Sequence, residues 1–226
     1  MLLASPFIFL RALVSPSFRN QIKERMAGAR SLPELKGTLW VHASSIGEVR
    51  LAKTLIAGLL KDGESRPIAL STFTPTGYAL AKEENLPNVF RLPLDFSIWL
   101  NPVFEKIQPS KLVLIEAELW PCLLGQCKSR NVPVVQVNGR VSEKSVQRYG
   151  KFPPFFLWMA KSIKQSSMRS QTDADRLLQL GVAKDKVVVT GNIKFDVTSI
   201  QIEDQQEWKT DGMILVFGST RPGEEG

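Results

Sequence analysis

The sequence predicts an α/β fold, a Rossmann-like parallel sheet with helices on both faces. Three observations lead to this fold class. The chain has 226 residues, and 43% of them are hydrophobic, which suffices for a sizeable core. After Pro33, short apolar runs alternate with segments of helical periodicity, a pattern typical of parallel sheets. No internal repeat and no low-complexity tract interrupts that alternation.

Six apolar runs predict strands, and the segments between them predict the helices that connect one strand to the next. Gly181 is expected to end the last of these helices, since glycine adopts the left-handed conformation of a C-terminal cap at little cost. The predicted strands are 39–43, 68–72, 89–92, 111–115, 132–137 and 187–190. The predicted helices lie near 48–60, 77–84, 98–107, 119–129, 155–161 and 172–180.

Residues 1–32 form a distinct apolar and basic segment. Residues 1–10 are apolar but interrupted by Pro6, and Glu24 is the only acid among residues 1–30. The apolar run is shorter than the roughly 18 residues that span a bilayer, and it lacks the basic start and the cleavage site of a signal peptide. The pattern favours a peripheral anchor on an anionic membrane surface. A helix packed on the domain is the alternative.

Composition and motifs count against several classes of site. The net charge of +7 is concentrated at the apolar N-terminus without interleaved aromatic residues, which argues against nucleic-acid binding. Cys122 and Cys127 fit neither a disulfide framework nor a zinc site, and we expect reduced thiols packed in a helix. His42, the single histidine, is expected to be a hydrogen-bonded structural residue. The chain contains no Gly-x-Gly-x-x-Gly and no Walker sequence, which argues against a dinucleotide or nucleoside triphosphate site.

Carboxylates follow two of the predicted strands directly. Glu116 and Glu118 come after the apolar run 112–115, and Glu48 comes after the first strand. Unpaired carboxylates are costly to bury, and ligands of doubly wound sheets bind outside the carboxyl ends of the strands. If the chain is extended, Glu116 and Glu118 point in opposite directions, so we expect one of them to face the cleft. Acids from separate strands at one cleft suggest proton-transfer chemistry.

Each of these acids also has a structural interpretation. A glutamate at position 48 complements the dipole of the helix that it begins. Glu118 would cap the helix that Pro121 helps to start. Trp120 is expected in the core rather than as a platform for a sugar, given its apolar neighbours.

Turns rich in hydroxyl groups and glycine follow the predicted strands. Backbone amides in such turns bind anions, although Thr-Pro-Thr-Gly is also an ordinary turn sequence. Arg140 suits a phosphate or a carboxylate through its planar guanidinium, and Lys194 is equally well explained as a solvated surface lysine. The candidate binding residues are Ser44, Ser45, Gly47, Thr74, Thr76, Gly77, Asn138, Arg140, Ser142 and Lys194.

Five motifs, in order along the chain, carry a resemblance to a known family. They read Trp-Val-His-Ala-Ser-Ser-Ile-Gly-Glu at 40–48, Thr-Pro-Thr-Gly at 74–77, Glu-Ala-Glu-Leu-Trp-Pro at 116–121, Val-Asn-Gly-Arg-Val-Ser at 137–142 and Gly-Asn-Ile-Lys-Phe-Asp at 191–196. From about residue 39 to the last residue, the chain resembles the 3-deoxy-D-manno-octulosonic acid (Kdo) transferase family of lipopolysaccharide assembly.

The resemblance implies a GT-B type glycosyltransferase with the acceptor-side domain first. It implies transfer of Kdo from CMP-Kdo to the lipid A precursor (lipid IVA), with inversion at the anomeric carbon and without a metal or another cofactor. It places the enzyme at the cytoplasmic face of the inner membrane. Glu48 is then the first choice for the general base, with Glu116 and Glu118 as further catalytic candidates. Arg140 would bind the acceptor phosphate or the Kdo carboxylate, and Lys194 the donor phosphate.

The resemblance also divides the chain into segments. Residues 1–32 are the membrane-associating segment, 33–197 the acceptor-side domain, 198–212 a polar linker, and 213–226 the first strand and loop of a truncated donor-side domain. The donor-side candidates are Ser219, Thr220 and Arg221, with arginine where the family pattern leads us to expect histidine. With so little of the donor side present, this fragment alone is expected to be inactive.

Two other functions fit the same residues less well. Another GT-B type sugar-nucleotide enzyme, such as a non-hydrolysing epimerase, would need a uridine-nucleotide pocket that this length of chain does not show. A non-catalytic, membrane-bound module that binds the lipid acceptor is the alternative from a different class.

Overall fold

A parallel sheet of seven strands organises the part of the chain that the computed structural model describes, residues 15–117 and 119–196. The strands lie in the order β3-β2-β1-β4-β5-β6-β7, and every adjacent pair is parallel. The predicted fold class is therefore confirmed. The strands are β1 (Thr38–His42), β2 (Ile68–Thr72), β3 (Phe90–Arg91), β4 (Pro109–Ile115), β5 (Val134–Gly139), β6 (Ile163–Met168) and β7 (Val187–Val189).

Helices connect these strands on both faces of the sheet. They are α1 (Pro16–Arg30), α2 (Ile46–Lys61), α3 (Pro75–Glu83), α4 (Ser97–Ile107), α5 (Pro121–Ser129), α6 (Glu143–Gly150), α7 (Pro153–Lys161) and α8 (Gln171–Gln179), with 3₁₀ turns at Lys184–Lys186 and Ile193–Asp196. Side-chain oxygens of Ser45, Thr74, Ser142 and Ser170 accept hydrogen bonds from the amides three residues on, so α2, α3, α6 and α8 begin at these residues.

Two apolar layers cover the sheet because neighbouring residues of a strand point to opposite faces. Leu39 and Val41 pack with α2 and α3 on one face, whereas Trp40 packs with α4 and α5 on the other. The prediction for Gly181 is confirmed: α8 ends just before it, and its φ of 88° is left-handed.

Two elements were not predicted, and helix α1 was given only as the alternative to a membrane anchor. Strand β6 reads Ile-Lys-Gln-Ser-Ser-Met and has no apolar run, but it pairs with β5 and β7. Helix α6 is short and mostly polar, with Val146 and Tyr149 as its apolar side chains and no fully buried residue, so its sequence lacks an apolar run. Helix α1 has a weakly apolar sequence and is tied to the sheet by long-range contacts. The predicted strand 89–92 is reduced to the two residues of β3.

Helix α1 lies within the predicted membrane-associating segment and packs on the domain. Arg25 is buried, and its guanidinium donates to the carbonyls of Leu92 and Phe73, both at 2.9 Å. Desolvation, with the nearby Arg91 charge, lowers the pKa of Arg25 to about 10. Residues 1–14 lie outside the described part of the chain. Within residues 15–117 and 119–196, no helix has the length and apolar character of a membrane span.

The predictions for His42 and the cysteines are confirmed. His42 is fully buried in β1, and its Nδ1 lies 2.8 Å from Ser71 Oγ on the neighbouring strand. Cys122 and Cys127 both lie on α5 as thiols. Burial raises the pKa of the Cys127 thiol to about 12, so this sulfur stays protonated and packs as an apolar group.

Candidate active site

The strand order reverses between β1 and β4, and the acids singled out in the sequence follow these two strands. From β1 the chain proceeds outward to β2 and β3, then returns through α4 to β4 on the other side of β1. In open α/β sheets the crevice at such a switch point, outside the carboxyl ends of the strands, is the usual ligand site. Glu48 follows β1 and Glu116 follows β4, so the two residues flank the switch point.

Glu48 lies in the first turn of α2, where it closes a capping box with Ser45. The carboxylate accepts hydrogen bonds from the backbone amide of Ser44 at 2.8 Å and from Ser45 Oγ at 2.8 Å. In return, the Glu48 amide lies 3.5 Å from Ser45 Oγ. The helix N-terminus favours the negative charge, and the two bonds hold the half-buried carboxylate at the sheet edge. The helix-terminus interpretation is thus correct as geometry, and it is compatible with a catalytic role.

The turn after β2 is locked to the turn after β1. Thr74 Oγ1 donates to the Ser44 carbonyl at 2.9 Å, which also accepts from the Thr74 amide at 2.9 Å. The same Oγ1 accepts from the Gly77 amide at 3.1 Å, and Thr76 Oγ1 lies 3.5 Å from it. The predicted cluster of two hydroxyl-and-glycine turns on adjacent strands is therefore present, and its hydroxyls are largely engaged within the cluster.

Gly77 allows the turns after β1 and β2 to approach each other closely, and a side chain at this position is expected to destabilise the fold. A Cβ at position 77 would lie 2.9 Å from Thr74 Oγ1 and 3.2 Å from the Ser44 carbonyl oxygen. Gly77→Ala is therefore expected to lower the free energy of unfolding by about 1–3 kcal/mol, the usual cost of overpacking. A Cβ added at Gly58, inside α2, would have no atom within 4 Å. Gly58→Ala should therefore raise the free energy of unfolding by about 0.5–1 kcal/mol. Urea unfolding of both variants tests this, and shifts of the same sign would contradict it.

Glu116 directly follows β4 and has a left-handed conformation, with φ of 59°. The condition for the expected alternation of Glu116 and Glu118, an extended chain, is not met at residue 116, so which of the two acids faces the cleft stays a prediction. The Glu116 carbonyl accepts a hydrogen bond from the side chain of Gln136 on β5, and its amide donates to the Val137 carbonyl at 3.0 Å. A non-glycine residue with positive φ is uncommon and is enriched at functional sites, but ordinary turns of this chain also contain it, at Asn85, Asn88, Gln108 and Asn131. Glu118 lies outside the described residues.

Asp95, which sequence reasoning missed, caps the helix that starts at Pro121. Its carboxylate accepts from the amides of Cys122 at 2.9 Å and Leu123 at 2.8 Å. Burial raises the pKa of Asp95, and the two amide hydrogen bonds oppose that rise. Trp120 is half-buried, with its ring 4.8 Å from that of Phe73, in agreement with the core interpretation.

The end of β5 and the loop that follows it supply polar groups at the same edge. Asn138 is buried with φ of 55°, and its Oδ1 accepts from the Ile193 amide at 3.2 Å. Its Nδ2 is buried without a hydrogen-bond partner in the described part of the chain. Arg140 is exposed and, among residues 15–117 and 119–196, forms no ion pair. Ser142 caps α6 and contacts Ser145 Oγ at 2.9 Å.

Asp173 holds the Arg140 loop from a distance of 32 residues along the chain. Its Oδ1 accepts from the Val141 amide at 2.8 Å, while its Oδ2 accepts from Ser170 Oγ at 2.6 Å and Arg169 Nε at 3.0 Å. Burial acts to raise the pKa of this carboxyl, but the three hydrogen bonds and the Arg169 charge outweigh it, so the pKa lies below its ordinary value. The Ser-x-x-Asp capping box was the signal available in the sequence.

The last described segment reaches the same edge. The 3₁₀ turn Ile193–Asp196 is tied to β5 through Asn138. Lys194 is exposed on that turn, and its amide donates to Asn192 Oδ1 at 3.2 Å. The donor-side candidates at 219–221 lie outside the described residues. No cluster of three or more potential metal ligands occurs in the described ranges.

Comparisons with known sequences agree with these motifs. A family model described as 3-deoxy-D-manno-octulosonic-acid transferase (kdotransferase) matches residues 20–197. The 3-deoxy-D-manno-octulosonic acid transferase of Haemophilus influenzae is 34% identical over 97% of this chain and 53% of its own length. The enzyme of the same name from Bordetella pertussis is 31% identical over 88% of this chain and 48% of its own length. The chain thus spans about half the length of these curated relatives.

Solved structures share the fold at much lower identity. UDP-GlcNAc 2-epimerase from Neisseria meningitidis has a TM-score of 0.51 and 14% identity, covering 71% of this chain and 51% of its own. The UDP-GlcNAc 2-epimerase from Methanocaldococcus jannaschii has a TM-score of 0.51 and 17% identity, covering 69% of this chain and 45% of its own. At this identity the likeness shows the architecture alone, here that of one half of a GT-B type protein.

Proposed function

The chain belongs to the Kdo transferase family, and from this we propose that it forms the acceptor-side half of a glycosyltransferase that moves Kdo from CMP-Kdo to the lipid A precursor lipid IVA. The observation that carries the proposal is the edge of the sheet at the switch point. At that edge, hydrogen bonds hold the carboxylate of Glu48 after β1, and the turn after β1 interlocks with the turn after β2. The end of β5 and its following loop lie at the same edge. Such a crevice suits a sugar acceptor and the proton transfer that its hydroxyl requires.

Glu48 is proposed as the general base of an inverting transfer. The acceptor hydroxyl oxygen attacks the anomeric carbon of Kdo while the bond from that carbon to the CMP phosphate oxygen breaks, and the hydroxyl proton passes to Glu48. The hydrogen bonds from the Ser44 amide and Ser45 Oγ hold the carboxylate at the sheet edge, where the proposal places the acceptor hydroxyl. The reaction so written needs no metal.

Other residues of the edge are proposed to position the substrates. The buried Nδ2 of Asn138 is a donor without a partner among the described residues, and a substrate hydroxyl would satisfy it. Arg140 is exposed and, within the described ranges, forms no ion pair, so its guanidinium is available to a phosphate or to the Kdo carboxylate. Glu116, Glu118 and Lys194 remain candidates for binding the acceptor and the donor.

We also propose peripheral association with the cytoplasmic face of the inner membrane through residues 1–32. A lipid acceptor requires the enzyme to work at a bilayer surface. The apolar start of the segment, followed by basic residues, fits an anionic interface.

The test joins this chain to the second half of the Haemophilus influenzae relative, since the chain covers 53% of that protein. We expect the chimera to transfer labelled Kdo from CMP-Kdo to lipid IVA, and the present chain alone to give no labelled lipid. Half of a two-domain site forfeits the proximity contribution of roughly 7–11 kcal/mol. A chimera that folds and binds lipid IVA without transfer would favour the binding-module alternative. Epimerisation of UDP-GlcNAc instead would favour another sugar-nucleotide enzyme.

A further inference from the structure

Helix α7 carries three aromatic side chains on its solvent side. Phe152 precedes the helix, and Phe155 and Trp158 follow at intervals of three residues, so the three rings lie along one stripe. They are 71%, 51% and 39% exposed, and the rings of Phe155 and Trp158 are stacked at 6.0 Å. We call these three residues the aromatic stripe.

The other side of the same helix is also apolar and is already covered by the domain. Phe156, Met159 and Ala160 are buried against the sheet and α8. A helix that is apolar all round normally has its whole surface removed from water, in a core or in a membrane. In the described part of the chain, α7 is covered on one side only.

A groove between α5 and α7 borders the aromatic stripe and includes the first residue of α5. Pro121, Cys122 and Gly125 of α5 line it together with Phe155 and Trp158, and its volume is about 390 Å³. Gly125 lies directly beside the Trp158 ring: a Cβ at position 125 would be 3.8 Å from the ring, an ordinary contact distance. Since Pro121 begins α5 just after the β4 loop, the groove reaches the carboxyl edge of the strands.

The charge around the stripe indicates what covers it. Between residues 143 and 164 the only acid is Glu143, and the exposed basic residues there are Lys144, Arg148, Lys151, Lys161 and Lys164. Lys161 continues the stripe one turn beyond Trp158. Aromatic side chains flanked by lysine and arginine are the signature of a helix that lies in the plane of an anionic bilayer surface.

We propose that the aromatic stripe of α7 is a membrane-docking surface that inserts Phe152, Phe155 and Trp158 into the headgroup region of an anionic bilayer. It is separate from the segment 1–32, and its binding to lipid does not depend on the proposed transfer reaction. The groove then opens beside the bilayer, where a lipid could present its headgroup to the loops at the sheet edge. Insertion of aromatic side chains and attraction of the basic residues would act together.

The test uses the whole chain with vesicles of phosphatidylcholine and phosphatidylglycerol whose acyl chains carry bromine, which quenches nearby tryptophans. We expect quenching in the unchanged chain and the loss of that quenched component in Trp158→Phe, with vesicle binding retained. Adding Leu60→Trp to Trp158→Phe is the matched control, because Leu60 is exposed on α2 across the sheet. A tryptophan there should not be quenched. Equal quenching with and without Trp158 would overturn the proposal.

A second measurement asks whether the stripe contributes to binding. Phe152→Ser with Phe155→Ser should weaken partitioning into anionic vesicles on the order of tenfold, and Leu60→Ser should leave it unchanged. All variants keep residues 1–32, so the contribution of that segment is constant. Unchanged partitioning of the double variant would overturn the proposal.

The oligomeric state provides a further check. Light scattering without lipid that shows a dimer of the unchanged chain, and dissociation of that dimer by the double substitution, would also overturn the proposal. Loss of Trp158 quenching in a Kdo-transferring chimera would show instead that the second half covers the stripe.

Discussion

Replacing Glu48 by glutamine in the Kdo-transferring chimera is expected to reduce turnover roughly 100- to 10,000-fold, the usual range for the loss of a general base. Glutamine keeps the size of the side chain and one acceptor oxygen but cannot take the proton. The affinity for lipid IVA should change little, because an interaction made only in the transition state affects the rate and not ground-state binding. Steady-state kinetics with acceptor titration measures both quantities.

The capping role of Glu48 must be separated from the proposed catalytic role. Both oxygens of the carboxylate take part in the turn at the start of α2, so the substitution could also act through the fold. Glutamine is, however, an ordinary residue at this position of a capping box. A small change in the melting temperature with a large loss of turnover would therefore identify proton transfer as the cause.

Glu143→Gln is the matched control for this experiment. Glu143 begins α6 at the same edge of the sheet and is exposed, and it should tolerate the change with little effect on turnover. Should Glu48→Gln keep more than about a tenth of the original turnover, below the loss expected for a base, Glu48 would be a helix-terminus residue. The catalytic role would then pass to Glu116 or Glu118.

The features that could be predicted from the sequence are those set by short stretches of chain. Strands β1, β2 and β4 are buried apolar runs, and the turns at Ser45 and Thr74 are capping sequences whose partners lie three residues away. Their place at one edge follows from the parallel sheet, because all strands end on the same side. The sequence could therefore point to Glu48 and to the turn at Thr74.

The features that could not be predicted depend on partners far along the chain. Arg25 reaches the carbonyl of Phe73, 48 residues away, and Asp95 reaches the amide of Cys122, 27 residues away. Strand β6 is polar and takes its conformation from pairing with β5 and β7. Nothing local in these segments encodes the contact, so only the tertiary structure identifies the groups that support the site loops.

Asp173 is the clearest of these supports, and Asp173→Asn is expected to lower the free energy of unfolding at pH 7 by about 2–4 kcal/mol. The carboxylate is only 2% exposed and accepts bonds from Val141, Ser170 and Arg169. An amide offers one oxygen in place of two and no charge, so it cannot satisfy all three donors, the Val141 amide, Ser170 Oγ and Arg169 Nε. Asp175→Asn, an exposed position of the same helix, should stay within about 0.5 kcal/mol of the unchanged chain.

The pH dependence distinguishes the loss of this charge from a general loss of packing. The pKa of Asp173 is lowered in the folded chain, so its contribution is complete above the ordinary carboxyl pKa of about 3.9 and is lost as the pH falls through the folded value. The stability difference between the unchanged chain and Asp173→Asn should therefore be constant from pH 7 to about pH 5 and shrink in more acidic solution. Urea unfolding across this range measures it. A difference that does not shrink in acid would mean that packing around residue 173, and not its charge, holds the Arg140 loop in place.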